Sequence, residues 1–92
     1  MCTYVVEKTP ISGSGRGATG WFVLTEANVS YDHPFHAPAE HAVNIDFTNP
    51  SMGPAARVAV ELTTEGARAL IAAIEEAIER GIEVERREAT SV

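Results

Sequence analysis

The chain has 92 residues, 45% of them hydrophobic and 22% charged, which is typical of a globular domain just large enough to bury one core. Its formal net charge of -6 is the wrong sign for gripping the phosphate backbone of a nucleic acid, so we expect no nucleic acid partner. The single cysteine excludes an internal disulfide and no apolar run approaches the roughly 20 residues of a membrane span, so we expect a cytoplasmic protein that does not enter a membrane.

The first part of the chain predicts two strands separated by a loop. Residues 2–8 alternate apolar side chains with small or polar ones and predict the first strand. Residues 9–20 hold four of the seven glycines and a proline, a composition that predicts a long, mobile loop. Residues 21–32 are rich in aromatic and β-branched side chains and predict a long second strand.

A second hairpin is expected in the middle of the chain. Two prolines within residues 33–40 exclude both a helix and a central strand, and they predict a connecting loop. The two-residue alternation of residues 41–48 predicts a third strand. Turn residues at 49–54 then lead to a fourth strand over residues 57–62.

One amphipathic helix is expected after the strands. Thr63 would cap its start and Gly81 would end it. Its apolar positions follow a helical period: Ala67, Leu70, Ile71, Ile74, Ala77 and Ile78. Residues 82–92 are expected to form an edge strand or a frayed tail.

These elements predict an α+β fold, in which an antiparallel sheet of four to five strands carries one amphipathic C-terminal helix packed on one face, in the order β-β-β-β-α. Residues 1–81 would form the single domain. Because one helix leaves much apolar surface of so small a domain uncovered, we expect a homo-oligomer, a dimer or larger.

All three histidines of the chain fall within nine residues of one another: His33, His36 and His41. Imidazole and carboxylate ligands must converge at about 2.0 to 2.2 Å from one ion, and a loop between paired strands allows this. If His33 ends the second strand and His41 opens the third, the two residues would face each other across the hairpin. The cluster favours a divalent transition metal site, zinc by default, with further ligands from Asp32, Glu40 or Cys2.

The same histidines have a structural interpretation. His33 and His36 would then be polar loop residues that the neighbouring prolines hold rigid, and His41 would be a core or cross-strand residue. The spacing of the three histidines matches no established metal signature, so the sequence leaves both interpretations open.

A metal position open to water would allow hydrolytic, lyase or isomerase chemistry on a small molecule. Candidate catalytic residues are Glu40, Asp46 and Cys2. Asp46 shares the polar face of the third strand with Asn44, where both could equally be solvated. Removal of Met1 would place a free α-amine beside the Cys2 thiol, although a lone cysteine is more often a small buried hydrophobe.

A second functional hypothesis is a metal-free, homo-oligomeric module that binds a ligand or a protein. In that case the second face of the sheet, with Phe22 and Leu24, would dock a partner or another copy of the chain. The glycine-rich segment at residues 10–20 lacks the following helix of a phosphate-binding loop and would serve as a hairpin or a lid.

Several short segments resemble a family of short actinobacterial proteins of unknown function. The segments are MCTY at residues 1–4, EK at 7–8, ISGSG at 11–15, GWF at 20–22, DHP at 32–34, HAP at 36–38, EH at 40–41 and NIDF at 44–47. The resemblance extends to about Ile82. It implies a bacterial cytoplasmic setting and brings no catalytic residues with it.

Overall fold

The computed structural model of the protein describes residues 5–34 and 40–90. Within them the elements are β1 Val5–Gly17, β2 Gly20–Asp32, β3 Ala42–Thr48, β4 Arg57–Leu62 and α1 Thr64–Thr90. The strands form one antiparallel sheet in the order β1-β2-β3-β4. The predicted α+β class and the order β-β-β-β-α are therefore confirmed.

The prediction of a long loop at residues 9–20 is wrong. β1 continues through this segment to Gly17, and only Ala18 and Thr19 separate it from β2. Gly20 ends the turn with a φ of 125°, a conformation that favours glycine. The register shifts between Pro10 and Gly13, which marks a β-bulge within this long edge strand.

Bulky side chains of β2 explain why glycines are tolerated in β1. A Cβ atom built on Gly15 would lie 2.8 Å from Leu24 Cδ1, and one built on Gly17 would lie 3.1 Å from Phe22 Cε1. The side chains of β2 therefore lie over the β1 backbone, at positions where only glycine leaves them room. Leu24, expected on an open second face, is buried in this contact.

The sheet has one apolar face and one polar face. The apolar sheet face is made by Ala27, Val29, Tyr31, Val43, Ile45, Phe47, Val58, Val60 and Leu62, which the register of β2, β3 and β4 places side by side. Of these residues only Ala27 is buried, and the others are half-buried or exposed. A Cβ atom on Gly15 would also lie 3.3 Å from Val58 Cγ2, so the sheet curls until its edge strands β1 and β4 touch.

Asn49 ties the turn between β3 and β4 to the rest of the sheet. Its side-chain Nδ2 donates a hydrogen bond of 3.0 Å to the carbonyl oxygen of Val23 in β2. Its Oδ1 accepts hydrogen bonds from the backbone N–H and the hydroxyl of Ser51, at 3.2 and 2.7 Å. The buried amide thus holds the 3₁₀ turn Pro50–Met52 against β2.

α1 is longer than the sequence predicts. The prediction that it ends at Gly81, with an edge strand or a frayed tail beyond, is wrong for residues 82–90, which are helical. A glycine within a helix costs only about 1 kcal/mol relative to alanine. Ion pairs of Glu83 with Arg86 and Arg87, at 3.2 and 3.4 Å, lie three and four residues apart and support the last turns.

α1 meets the sheet through its first turn and then extends beyond it. Only Gly66 and Ala67 of the helix are half-buried, and every later residue is exposed. The expectation that the helix lies on the sheet is therefore met at the first turn alone. Because the rest of the helix extends beyond the sheet, the chain is elongated and measures 58 × 32 × 21 Å. Over the described residues, no helix combines the length and the apolar character needed to cross a membrane.

Candidate functional site: an imidazole pair at the end of the central hairpin

Two of the three histidines face each other at the loop end of the hairpin formed by β2 and β3. Asp32 pairs with Ala42 in the sheet, so His33 and His41 are the next cross-strand positions. Their ring centroids lie 5.3 Å apart and their planes differ by 25°. The prediction that these two residues face each other across the hairpin is confirmed.

A backbone carbonyl orients the His33 ring. His33 Nδ1 lies 3.0 Å from the carbonyl oxygen of Glu40. Because a carbonyl oxygen only accepts hydrogen bonds, Nδ1 must donate, and in the neutral ring the lone pair then resides on Nε2. A hydrogen bond of this kind, from one ring nitrogen to a carbonyl, also fixes the tautomer of metal-bound histidines.

Tyr31 extends the imidazole pair into a three-ring stack. Its ring centroid lies 5.6 Å from that of His41, with the planes 11° apart. Tyr31 lies in β2 and His33 follows it by two residues, just past the end of the strand, so this spacing places both side chains on one face. Tyr31 was not among the predicted site residues, although its two-residue spacing from His33 was the signal for it.

The structure separates Asp32 from the imidazole pair. The Asp32 side chain is buried, and its Oδ1 accepts a hydrogen bond of 2.7 Å from the backbone N–H of His33. In the register Asp32 lies opposite Ala42, on the face opposite to that of Tyr31, and side chains alternate along a strand. Asp32 therefore supports the backbone of the site from the other side of the sheet.

The one catalytic candidate on β3, Asp46, also lies away from the imidazole pair. Asp46 pairs with Arg57 of β4, on the polar face of the sheet. It is five residues from His41, or about 17 Å along an extended strand. Its neighbour Asn44 has a side-chain Oδ1 that is buried without a hydrogen-bond partner.

Two of the predicted metal ligands, Cys2 and His36, lie outside the described residues. Glu40 is exposed, and its backbone carbonyl is the group that contacts His33. Within residues 5–34 and 40–90, no group of three or more His, Cys, Asp or Glu side chains is placed to hold a metal ion. The structure thus brings together two of the predicted ligands, His33 and His41.

Fold and site together define a small α+β protein with stacked imidazoles at the end of a central β-hairpin. The chain belongs to a family of unknown function, DUF6295, whose family model matches residues 1–89. This match confirms the prediction that the chain belongs to a family of unknown function. No match was found among the curated proteins or among the solved structures.

Proposed function

We propose that this protein binds a divalent transition metal, most readily zinc, through His33 and His41. The observation that carries the proposal is the 5.3 Å separation of the two imidazole rings. Nitrogen atoms that bind one zinc ion lie at most about 4.2 Å apart, which is twice the bond length. The two rings are stacked with their planes 25° apart, so metal binding requires both rings to turn until the in-plane lone pairs of their nitrogens meet at one ion.

The hydrogen bond from His33 to the Glu40 carbonyl supports the same proposal. It leaves Nε2 as the nitrogen that carries a lone pair, and zinc binds the neutral imidazole at such a nitrogen. In this proposal His36, Cys2 or Glu40 completes the ligand set. Asp32 is the weakest of the predicted ligands because the register places it on the other face of the sheet.

A ligand set of this size leaves room for a water molecule or a small-molecule ligand. Bound zinc lowers the pKa of coordinated water, so the proposed function extends to a metal-dependent enzyme that acts on a small molecule. A cytoplasmic location belongs to the same proposal, since a single cysteine suits a reducing compartment.

Elemental analysis tests this proposal directly. The protein is purified without a histidine tag or chelator, dialysed, and measured after addition of zinc. We expect about one zinc ion per chain, because one pair of imidazoles makes one site. The double variant His33→Ala/His41→Ala should lose the metal, since both nitrogens that face the ion are removed.

Tyr31→Phe is the matched control, because it keeps the stacked ring and removes only a hydroxyl. This variant should retain the metal. A wild-type protein that takes up no zinc in competition with a weak chelator would contradict the proposal. Retention of zinc by the double variant would contradict the assignment of the ligands, and His36→Ala would then show whether the remaining histidine holds the ion.

The second candidate is a metal-free, homo-oligomeric module that binds a ligand or a protein. The observation that favours it is the exposed apolar surface of α1 and of the sheet. A metal-free protein whose double histidine variant folds as stably as the wild type would select this candidate.

A further inference from the structure

The outer face of α1 carries a wide apolar stripe. We define the apolar stripe as Ala67, Leu70, Ile71, Ile74, Ala77, Ile78, Ile82 and Val84. On a helix of 3.6 residues per turn these positions cover an arc of about 160°. The large members of the stripe are between 42% and 58% exposed. Contiguous apolar surface of this extent marks a binding surface on a soluble protein.

The solvent-accessible area of the chain is larger than that of a compact monomer of the same mass. The chain exposes 7179 Å², whereas a compact monomer of 9.8 kDa exposes about 5,200 Å². The excess of about 2,000 Å² exceeds the roughly 800 Å² that each partner buries in a standard interface. The radius of gyration, 16.3 Å, likewise exceeds the roughly 12 Å of a compact chain of this length.

The short joint between β4 and α1 restricts the direction in which the helix leaves the sheet. Only Thr63 connects Leu62 to Thr64, whereas connections between elements usually take about four to six residues. The Thr63 hydroxyl accepts a hydrogen bond from the backbone N–H of Gly66, so the joint is also the helix cap. A change in the direction of α1 relative to β4 would therefore disturb this cap.

A second copy of the chain offers each apolar surface the partner that it lacks. The stripe spans residues 67–84, or about 26 Å at 1.5 Å per residue. β3 has seven residues, which extend over about 24 Å. We propose that two copies of this chain associate, with the apolar stripe of each lying across the apolar sheet face of the other. Such an arrangement closes by two-fold symmetry and leaves neither surface exposed.

Light scattering after size-exclusion chromatography tests the association. One chain has a mass of 9.8 kDa, and we expect the wild-type protein to have twice this mass in solution. Ile74→Glu places a charge in the stripe, and we expect the dissociation constant to rise by about 100-fold or more because the charge would be buried without a partner. Ala72→Glu is the matched control, since Ala72 is exposed on the opposite face of the same helix.

Three outcomes of this measurement would overturn the proposal: a monomeric wild type, an Ile74→Glu variant with the wild-type mass, or equal dissociation of the Ala72→Glu control. A photoreactive benzophenone side chain at position 74 provides a test that does not depend on a destabilised variant. Cross-links to residues 42–62 of a second chain support the proposed packing. Cross-links to residues 64–90 would show instead that the helices pair with each other, and would overturn it.

Discussion

At Gly15 the absence of a single Cβ atom determines how closely β1 approaches the rest of the sheet. The Leu24 and Val58 side chains fill the space where that Cβ would lie, at 2.8 and 3.3 Å. Gly13 lies two residues away in the same strand, and a Cβ atom built on it would meet no atom within 4 Å. Gly15 therefore has a packing role, whereas Gly13 has none in the single chain.

We expect Gly15→Ala to lower the free energy of unfolding by about 1 to 3 kcal/mol, the usual cost of overpacking a well-filled contact. Gly13→Ala should be neutral or stabilising by up to about 1 kcal/mol, because alanine restricts the unfolded chain and meets no obstacle. Urea denaturation of both variants at one protein concentration measures the difference. Equal stabilities of the two variants would show that Leu24 and Val58 move aside freely.

Much of the candidate site could be predicted at the residue scale. His33 and His41 flank a proline-rich connection, and their positions at the end of the second strand and the start of the third predicted that they face each other across the hairpin. Tyr31 lies on the same face as the two histidines, but only the register shows that it stacks on His41. The position of Asp32 on the opposite face follows from the alternation of side chains along an extended chain, because Asp32 lies between Tyr31 and His33.

At the scale of single elements, α1 owes its position to its cap. Thr63 accepts two hydrogen bonds from the first turn, one at its hydroxyl from the Gly66 N–H and one at its carbonyl from the Ala67 N–H, at 3.0 and 2.9 Å. The hydroxyl satisfies a donor that no helical carbonyl can reach. Because Thr63 is also the whole connection to β4, the same residue sets the start of the helix and its direction.

Thr63→Ala should therefore cost about 1 kcal/mol of stability, the usual effect of removing a capping hydroxyl. Thr63→Ser keeps the hydroxyl and should retain most of the wild-type stability. Chemical denaturation followed by far-ultraviolet circular dichroism measures both variants. A serine variant as unstable as the alanine variant would assign the effect to the lost methyl group and not to the cap.

The sequence predicted the start of α1 better than its end. The cap has a local signature in Thr63, while the end was assigned to Gly81, a residue that a helix tolerates when the following turns are favourable. Residues 9–20 were misassigned for a related reason. The prediction of a loop considered only the backbone entropy that glycines lose in a strand. It could not include the side chains of Phe22 and Leu24, which come from the partner strand and cover these glycines.

At the scale of the whole molecule, few apolar side chains are buried in the single chain. Among the described residues the buried apolar ones are Leu24, Ala27 and Ala42. So small a core supplies little of the stabilisation that a domain of this length needs to offset its conformational entropy. Folding and association are then expected to be one coupled process.

The apparent stability should accordingly depend on protein concentration. For a dimer that unfolds to two chains, a concentration increase of about 100-fold raises the apparent free energy of unfolding by about 2.7 kcal/mol per dimer. Thermal unfolding followed by circular dichroism over that range measures the shift. A midpoint that does not move with concentration would mean that the single chain is stable alone.

The one-residue joint at Thr63 also controls the rotational phase of α1. A residue inserted directly after Thr63 in helical conformation would turn the rest of the helix by about 100° around its axis and advance it by about 1.5 Å. Such an insertion would leave every strand and every helical turn intact, yet it would aim the isoleucines in a new direction. The spacing between Leu62 and Thr64 is therefore as strict a requirement for pairing as the isoleucines themselves.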